Sequence, residues 1–362
     1  MNTTTEYEME ARPSLNPHAL DKLVGQVVGD LGAAVNGALV VLGDRLGIYS
    51  ELAEIGPASS HELAAKTGLD ERQLREWLSA QAASGYIIYD TESDAFSLSA
   101  EQAAVFADPK SPAAMTGGFY SVSAVYHDEP LVAKSFQTGA GVPWGDHHNC
   151  LFCGVDRFFR PGYEANLTRE WIPALDGVHQ KLESGIRAAD IGCGHGASTL
   201  IMAKGFPNSE FYGFDLHPAS IEAANRNAKE QGITNVHFRV ATAKDFPGHY
   251  EFATIFDALH DMGDPVGAAS HIRQSLGAEG TLMIVEPMAG DSLAENLNPV
   301  GRVYYGFSTM ICTPGSLSQE VGLALGAQAG EGRLREVLST GGFTRVRRAT
   351  ETPFNMILEA RP

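Results

Sequence analysis

The chain has 362 residues, and its 26 Lys plus Arg against 44 Asp plus Glu give a formal charge of −18. That length suits about two domains of roughly 150 residues each, and 44% hydrophobic with 19% charged residues excludes wholesale disorder. The acid excess opposes phosphate backbones and anionic bilayers, so nucleic-acid and membrane partners are set aside.

The opening MNTTTEYEMEAR carries acids where a secretory signal carries Lys or Arg, and residues 1–14 read as a disordered leader. Cys150, Cys153, Cys193 and Cys312 are too few for a disulfide framework. No apolar run reaches the roughly 18–20 residues of a membrane span; the best, Ala33 to Leu42, is interrupted by Asn36. The expectation is a cytoplasmic protein. From Leu15 the spacing turns helical through Leu20, Leu23, Val24, Val27, Val28 and Leu31, then runs on through an Ala/Gly-rich stretch. Two readings stand for this helix: a buried core element, or a subunit contact.

Residues 56–100 predict two short helices and a hairpin. Ser59 and Glu62 form a capping box before Leu63, Ala64 and Ala65, which are expected to face inward. Gly68 ends that helix, and Asp70 caps a second through Leu74, Trp77 and Leu78 to Gly85. Tyr86 to Tyr89 and Phe96 to Leu98 then flank a polar turn. This is a winged helix-turn-helix pattern. From Ser59 to Ala100, however, three basic side chains stand against seven acidic ones, the wrong sign for a DNA reader. A structural or dimerising role is expected.

Residues 101–185 are helical and rich in aromatics, most of them expected in the core and some lining a pocket. From Ile186 strands and helices alternate: strands at 186–191, 210–214, 236–240, 252–256 and 280–285, and a final close pair at 344–350 and 355–360. A parallel α/β sheet with an antiparallel C-terminal addition follows. Pro287 to Gly330 is too long for a connection and reads as an inserted cover.

The strongest signal is Asp190-Ile-Gly192-Cys-Gly194-His-Gly196, directly after the first strand and opening a helix. Glycines there admit a ligand without a Cβ in the way, and the helix start offers free N–H groups. Asp215 ends the second strand at the spacing that suits a ribose-binding carboxylate. Both features point to an adenosine ligand. The spacing Gly192, Gly194, Ala197 also fits a dinucleotide fingerprint, which leaves NAD as an alternative.

The acid before the glycines, the third glycine and the antiparallel end of the sheet resemble the class I S-adenosylmethionine (SAM) methyltransferases. Leu259-His260-Asp261-Met262-Gly263-Asp264 resembles the LHDWSD segment of small-molecule O-methyltransferases that carry a winged-helix dimerisation domain, with Met262 in place of Trp. The resemblance spans about Leu15 to Pro362. It implies a Rossmann-like domain at 181–362 with a cover at 287–330, a helical linker and substrate cover at 109–180, and a winged-helix dimerisation domain at 15–108. It further implies SAM as cofactor, a homodimer joined through the N-terminal domain, and a small-molecule methyl acceptor.

Carried to this chain, the resemblance puts Gly192, Gly194 and Gly196 under the methionine part of SAM, Asp190 near its amino group, and Asp215 on the ribose with Leu216 and His217 beside the adenine. An Asp usual after the third strand is absent, so the adenine contact is expected from Thr242 or Ala243. Phe256 and Asp257 are expected to face the sulfonium, with Tyr163 closing over the cofactor. His260 matches the position of a general base, oriented by Asp261 or Glu286. Tyr126, His147, His148, Phe158, Arg160, Arg302 and Tyr305 are the expected acceptor contacts. The His147, His148, Cys150, Cys153 run has metal-like spacing, but methyl transfer in this branch needs no metal and none is expected. Two other function classes remain open: a SAM-sensing DNA-binding regulator, and a non-methylating enzyme on the same scaffold.

Overall fold

The computed structural model describes residues 15–362; the expected leader, 1–14, lies outside the described residues. The chain forms two compact units, one ending at Gln102 and one beginning at Ala103. In the first, α1 (Pro17–Arg45) is a single 29-residue helix, opened by the Asn16 cap and Pro17. Val40 and Val41 are buried, but Leu23, Val27, Val28, Leu31 and Val35 are exposed, so this stretch of α1 is not a core helix. By length and composition alone α1 is long and apolar enough to cross a membrane, an 18-residue window within it having a mean hydropathy of 1.5. That corrects the expectation that no run reaches such a length: Ala33, Ala34 and Ala38 carry the apolar window past Asn36.

Helices α2 (Ile48–Ile55), α3 (Ser60–Thr67) and α4 (Glu71–Ala83) follow, then strands β1 (Ile88–Asp90) and β2 (Ala95–Ser97). The capping box closes at Ser59, Gly68 takes the left-handed cap, and Asp70 accepts from Gln73 N. Leu63, Ala64, Leu74, Trp77 and Leu78 form the interior. Ala65 points outward, against expectation, because α3 turns only one narrow stripe inward. The hairpin pairs Tyr89 with Phe96. Helix α5 (Ala100–Phe106) leads out of this unit.

The second unit begins with α6 (Thr116–Thr138), α7 (Cys150–Asn166) and α8 (Val178–Ser184). The alternating part follows as β3 (Arg187–Ile191), α9 (Ala197–Gly205), β4 (Glu210–Asp215), α10 (Pro218–Gln231), β5 (Val236–Val240), β6 (Tyr250–Phe256), α11 (Pro265–Ser275) and β7 (Leu276–Pro287). The cover contributes α12 (Leu293–Asn296), α13 (Pro299–Phe307) and α14 (Thr313–Leu317), and α15 (Gly330–Thr340), β8 (Arg345–Glu351) and β9 (Asn355–Arg361) finish the chain.

The seven strands lie in the order β5-β4-β3-β6-β7-β9-β8. Five are parallel, and β9 pairs antiparallel with both β7 and β8. Alternate residues of β7 feed opposite layers: Leu282 and Ile284 join the cluster holding Phe214 and Leu338, whereas Met283 and Val285 join that holding Trp171 and Phe211. Both faces of the sheet are therefore covered at its centre, which is why β6 and β7 read as largely apolar runs. β4 and β6 flank β3 on opposite sides, so a crevice opens at the carboxyl ends of β3 and β6, where ligands settle in open α/β sheets.

Candidate active site

The turn from β3 to α9 lines that crevice. Gly192, Gly194 and Gly196 all hold left-handed φ values of 76°, 52° and 81°. At Gly194 a Cβ would meet nothing within 4 Å, so its backbone faces open cavity. At Gly196 a Cβ would sit 2.7 Å from Phe238 Cζ, so this glycine serves packing and lies outside the cavity wall.

Asp215, at the end of β4, accepts from Gly194 N at 2.9 Å and from His217 N at 2.8 Å, and lines the cavity. Burial raises its pKa and the two N–H donors oppose the rise. Asp190 does not face the cavity. Its carboxylate turns inward, accepting from Ser198 Oγ at 2.7 Å, Thr199 Oγ1 at 2.6 Å and Thr254 Oγ1 at 3.0 Å. Three hydroxyls on α9 and β6 outcompete solvent for it, so it holds the glycine turn in place. His217 is also drawn away, with Nδ1 2.9 Å from Ser220 Oγ and its ring stacked on Phe152 at 5.1 Å.

The cavity measures about 500 Å³, within the range of small-molecule sites. Among the expected cofactor residues, Gly192, Gly194, Asp215, Leu216, Thr242, Ala243, Phe256, Asp257 and Tyr163 line it. Sequence reasoning missed Trp144, Phe152 and Phe159 on one wall, and Lys244, Met262 and Gln319 on another. Lys244 is ion-paired with Asp264 at 3.2 Å and Glu320 at 3.0 Å. Its position just beyond Ala241-Thr242-Ala243 was the available signal.

Behind the cavity stands a buried charge cluster. His260 Nδ1 donates to Glu286 Oε2 at 2.6 Å, and its Nε2 lies 3.1 Å from Asp261 Oδ1. Glu286 Oε1 accepts from Leu259 N at 2.9 Å, which fixes the carboxylate. Burial alone would depress the imidazole's pKa, but Asp261 and Glu286 override it and hold the ring protonated well above its usual range. Asp261 lines the cavity, whereas His260 and Glu286 sit behind it. Burial, with Asp261 beside it, pushes the Cys312 thiol up to about 12. His260, Asp261 and Cys312 bring three ligand-type atoms within 4.8 Å of one another.

None of the seven expected acceptor contacts lines this cavity. Tyr126 is 64% exposed, because it lies on the outer face of α6. His147 is buried, its Nδ1 donating to Asp128 Oδ2 at 2.9 Å, while the His148 ring lies tilted against that of His127 at 4.2 Å. Phe158 packs over Gly118, where a Cβ would stand 3.2 Å from its ring. Arg160 clamps Asp156, itself a wall residue, at 2.7 Å. Arg302 is exposed on α13 and Tyr305 half-buried beside it. Cys150 and Cys153 are free thiols, and the His147 ring is turned to Asp128 rather than toward them.

Residues 182–329 match the family model of a methyltransferase domain, and residues 34–107 that of an Rv2258c-like winged HTH domain. This chain carries a winged HTH domain followed by a methyltransferase domain. Over 96% of this chain and 100% of the other, its fold superposes on mitomycin 7-O-methyltransferase with a TM-score of 0.69 at 18% identity. Human N-acetylserotonin methyltransferase in complex with SAM gives 0.67 at 16% identity, covering 94% and 97% of the two chains. In sequence, 131 residues are 29% identical to a ubiquinone biosynthesis O-methyltransferase of Leptothrix cholodnii, 35% of this chain and 53% of that protein. Another 88-residue match, 35% identical, is to a 2-heptyl-1-hydroxyquinolin-4(1H)-one methyltransferase of Mycobacteroides abscessus, covering 24% of this chain and 38% of that one. The chain spans about half or less of the length of these curated relatives.

Proposed function

We propose that this protein transfers a methyl group from SAM to a hydroxyl of a small molecule. The observation that carries the reading is the cavity at the β3–β6 crevice, where the open backbone of Gly194 and the carboxylate of Asp215 face the same space. That cradle suits an adenosine ligand: Asp215 would hold the ribose hydroxyls, Gly192 and Gly194 would admit the amino-acid tail, and Leu216, Thr242 and Ala243 would border the adenine. Bound SAM supplies an electrophilic methyl group on a sulfonium. The chain's own task is then to align an acceptor and take its proton.

The charge cluster supplies the proton's destination. Asp261 is its member on the cavity wall, and His260 and Glu286 behind it form a fixed ion pair. The acceptor's hydroxyl proton passes to the Asp261 carboxylate, which His260 Nε2 positions from 3.1 Å away. This revises the expected order, in which His260 meets the acceptor directly. Hydroxyl acceptors are supported by the names of the relatives, several of which are O-methyltransferases. The aromatic wall of Trp144, Phe152 and Phe159 favours a planar acceptor.

The exposed apolar face of α1 supports a homodimer formed through the N-terminal unit, since a contiguous apolar surface of this kind marks an interaction site. The acid excess of the winged helix weighs against DNA as a partner. The deciding experiment is calorimetry with SAM and NAD in parallel, followed by a screen of phenolic metabolites with isotope-labelled SAM. SAM binding with label transferred to oxygen is expected. Saturable NAD binding without SAM binding overturns the reading.

A further inference from the structure

Asp257 follows β6 at the crevice and lines the cavity. It is a non-glycine residue with a left-handed φ of 46°, a conformation that re-aims the chain just as it leaves the sheet. Its peptide N–H donates to Val285 O at 2.7 Å, which anchors the turn to β7. Both carboxylate oxygens are held: Oδ2 accepts from Tyr163 Oη at 2.7 Å, and Oδ1 from Asn355 Nδ2 at 2.8 Å.

These donors are neutral, and Asp257 faces the cavity. Glu286 is paired with His260 and Glu359 with Arg347 and Arg361, while Asp190, held by three hydroxyls, turns away from the cavity. Among the described residues no cationic side chain forms an ion pair with Asp257. The surrounding titratable groups are Tyr163 from α7, Asp190 from β3, Tyr304 from α13, Glu286 from β7, and His260 and Asp261 from the turn after β6. Of these only His260 is a cation, and it is already flanked by Glu286 and Asp261. A buried carboxylate without a counter-charge is costly, so a cation arriving in the cavity would be strongly favoured beside it.

We propose that Asp257 is the charge partner of the donor's sulfonium, so that the cavity holds the methylated donor with an ionised carboxylate and the demethylated product with a protonated one. The inference rests on SAM being the donor. Methyl transfer removes the positive charge from sulfur, and Asp257 then loses its reason to stay ionised. Donor and product, which differ by one methyl group, are thereby told apart through charge. Burial, then Glu286, pushes the carboxyl of Asp257 up to about 8, so the exchange falls within reach of ordinary buffers.

The test is calorimetric titration of SAM and of S-adenosylhomocysteine into the full-length protein between pH 7 and pH 9. Two buffers of different ionisation heat count the protons released. With a group titrating near pH 8, SAM affinity should rise about tenfold over this range. The demethylated product should change less than twofold. The donor's own amino group titrates in the same region, so the comparison is made against Asp257→Asn. That variant should lose the donor-specific slope, proton release and most of the preference for SAM. Tyr163→Phe keeps the carboxylate but removes a hydrogen bond that favours its ionised form, and should move the midpoint to higher pH. Circular dichroism checks both folds, and Tyr163→Phe carries the test if Asp257→Asn does not fold. Equal slopes for SAM and product overturn the proposal, as does a slope that survives in Asp257→Asn or an unmoved midpoint in Tyr163→Phe. Binding of neither compound overturns the SAM reading itself.

Discussion

Nδ1 of His260 lies 2.6 Å from Oε2 of Glu286, an ion pair with both side chains almost wholly buried that ties the turn after β6 to the end of β7. Neither residue lines the cavity, yet Asp261, which does, is within 3.1 Å of the same imidazole. Asp261 is therefore held in place from behind. Glu286→Gln removes one of the two carboxylates that keep His260 protonated, and loosens the imidazole that positions Asp261. Turnover should fall by roughly 10²-fold, a typical contribution of general acid–base catalysis. SAM affinity should stay within about twofold. Steady-state kinetics with labelled SAM, alongside calorimetry, checks both halves; unchanged turnover would remove the cluster from the mechanism.

The same pair makes stability depend on pH. The folded-state pKa of His260 is raised well above that of an unfolded histidine, near 6.5. Its contribution is therefore fully present below about pH 6.5 and is lost as pH climbs through the folded-state value. The melting-temperature gap between the wild type and His260→Gln should be widest near pH 6 and should narrow steadily on the alkaline side. A gap that widens with pH would mean that the imidazole is buried neutral.

Much of the sheet was legible in the chain because burial on both faces leaves unbroken apolar runs such as Leu282 to Val285, bounded by glycine turns. The close pair of strands around Pro353 was legible from its spacing instead, since β8 is a half-exposed edge strand carrying Arg345, Arg347 and Arg348, and the structure brings the two together antiparallel. The aromatic wall of the cavity was not. Tyr126, Phe152 and Phe159 are chemically alike and all sit on amphipathic helices, and only the rotation of α6 and α7 decides that Tyr126 meets solvent while Phe152 and Phe159 meet the cavity. Asp190 shows a different failure. Its place before the glycines was evident, but the competition from Ser198, Thr199 and Thr254 that turns it inward depends on three residues spread over β6 and α9.

The α1 face gives a prediction about assembly. Val28 and Val35 are 62% and 66% exposed, and both lie on a helix whose interior contacts fall nearer its C-terminal end. Replacing both by Glu puts two like charges into any symmetric contact made there, without touching a buried position. Sedimentation should then report a dimer for the wild type and a monomer for the variant, with the melting temperature of the isolated chain little changed. A dimer that persists would move the contact away from this face.

Two neighbouring glycines separate binding from stability. Gly194→Ala and Gly196→Ala each force a left-handed φ on a residue with a side chain, at about 1–2 kcal/mol. The new methyl groups meet different surroundings. At 194 the Cβ enters open cavity, so the fold loses only the backbone term while the ligand's approach is blocked. At 196 it collides with Phe238 at 2.7 Å and approaches Ala224 Cβ to 3.1 Å, adding an overpacking cost of about 1–3 kcal/mol. SAM affinity should therefore drop at least tenfold in Gly194→Ala with a modest fall in melting temperature. Gly196→Ala should show the larger melting loss, and whatever fraction stays folded should bind more nearly like the wild type. Calorimetry and thermal melts on the two proteins read the contrast directly. If Gly194→Ala binds SAM as well as the wild type, the backbone at this turn does not touch the donor.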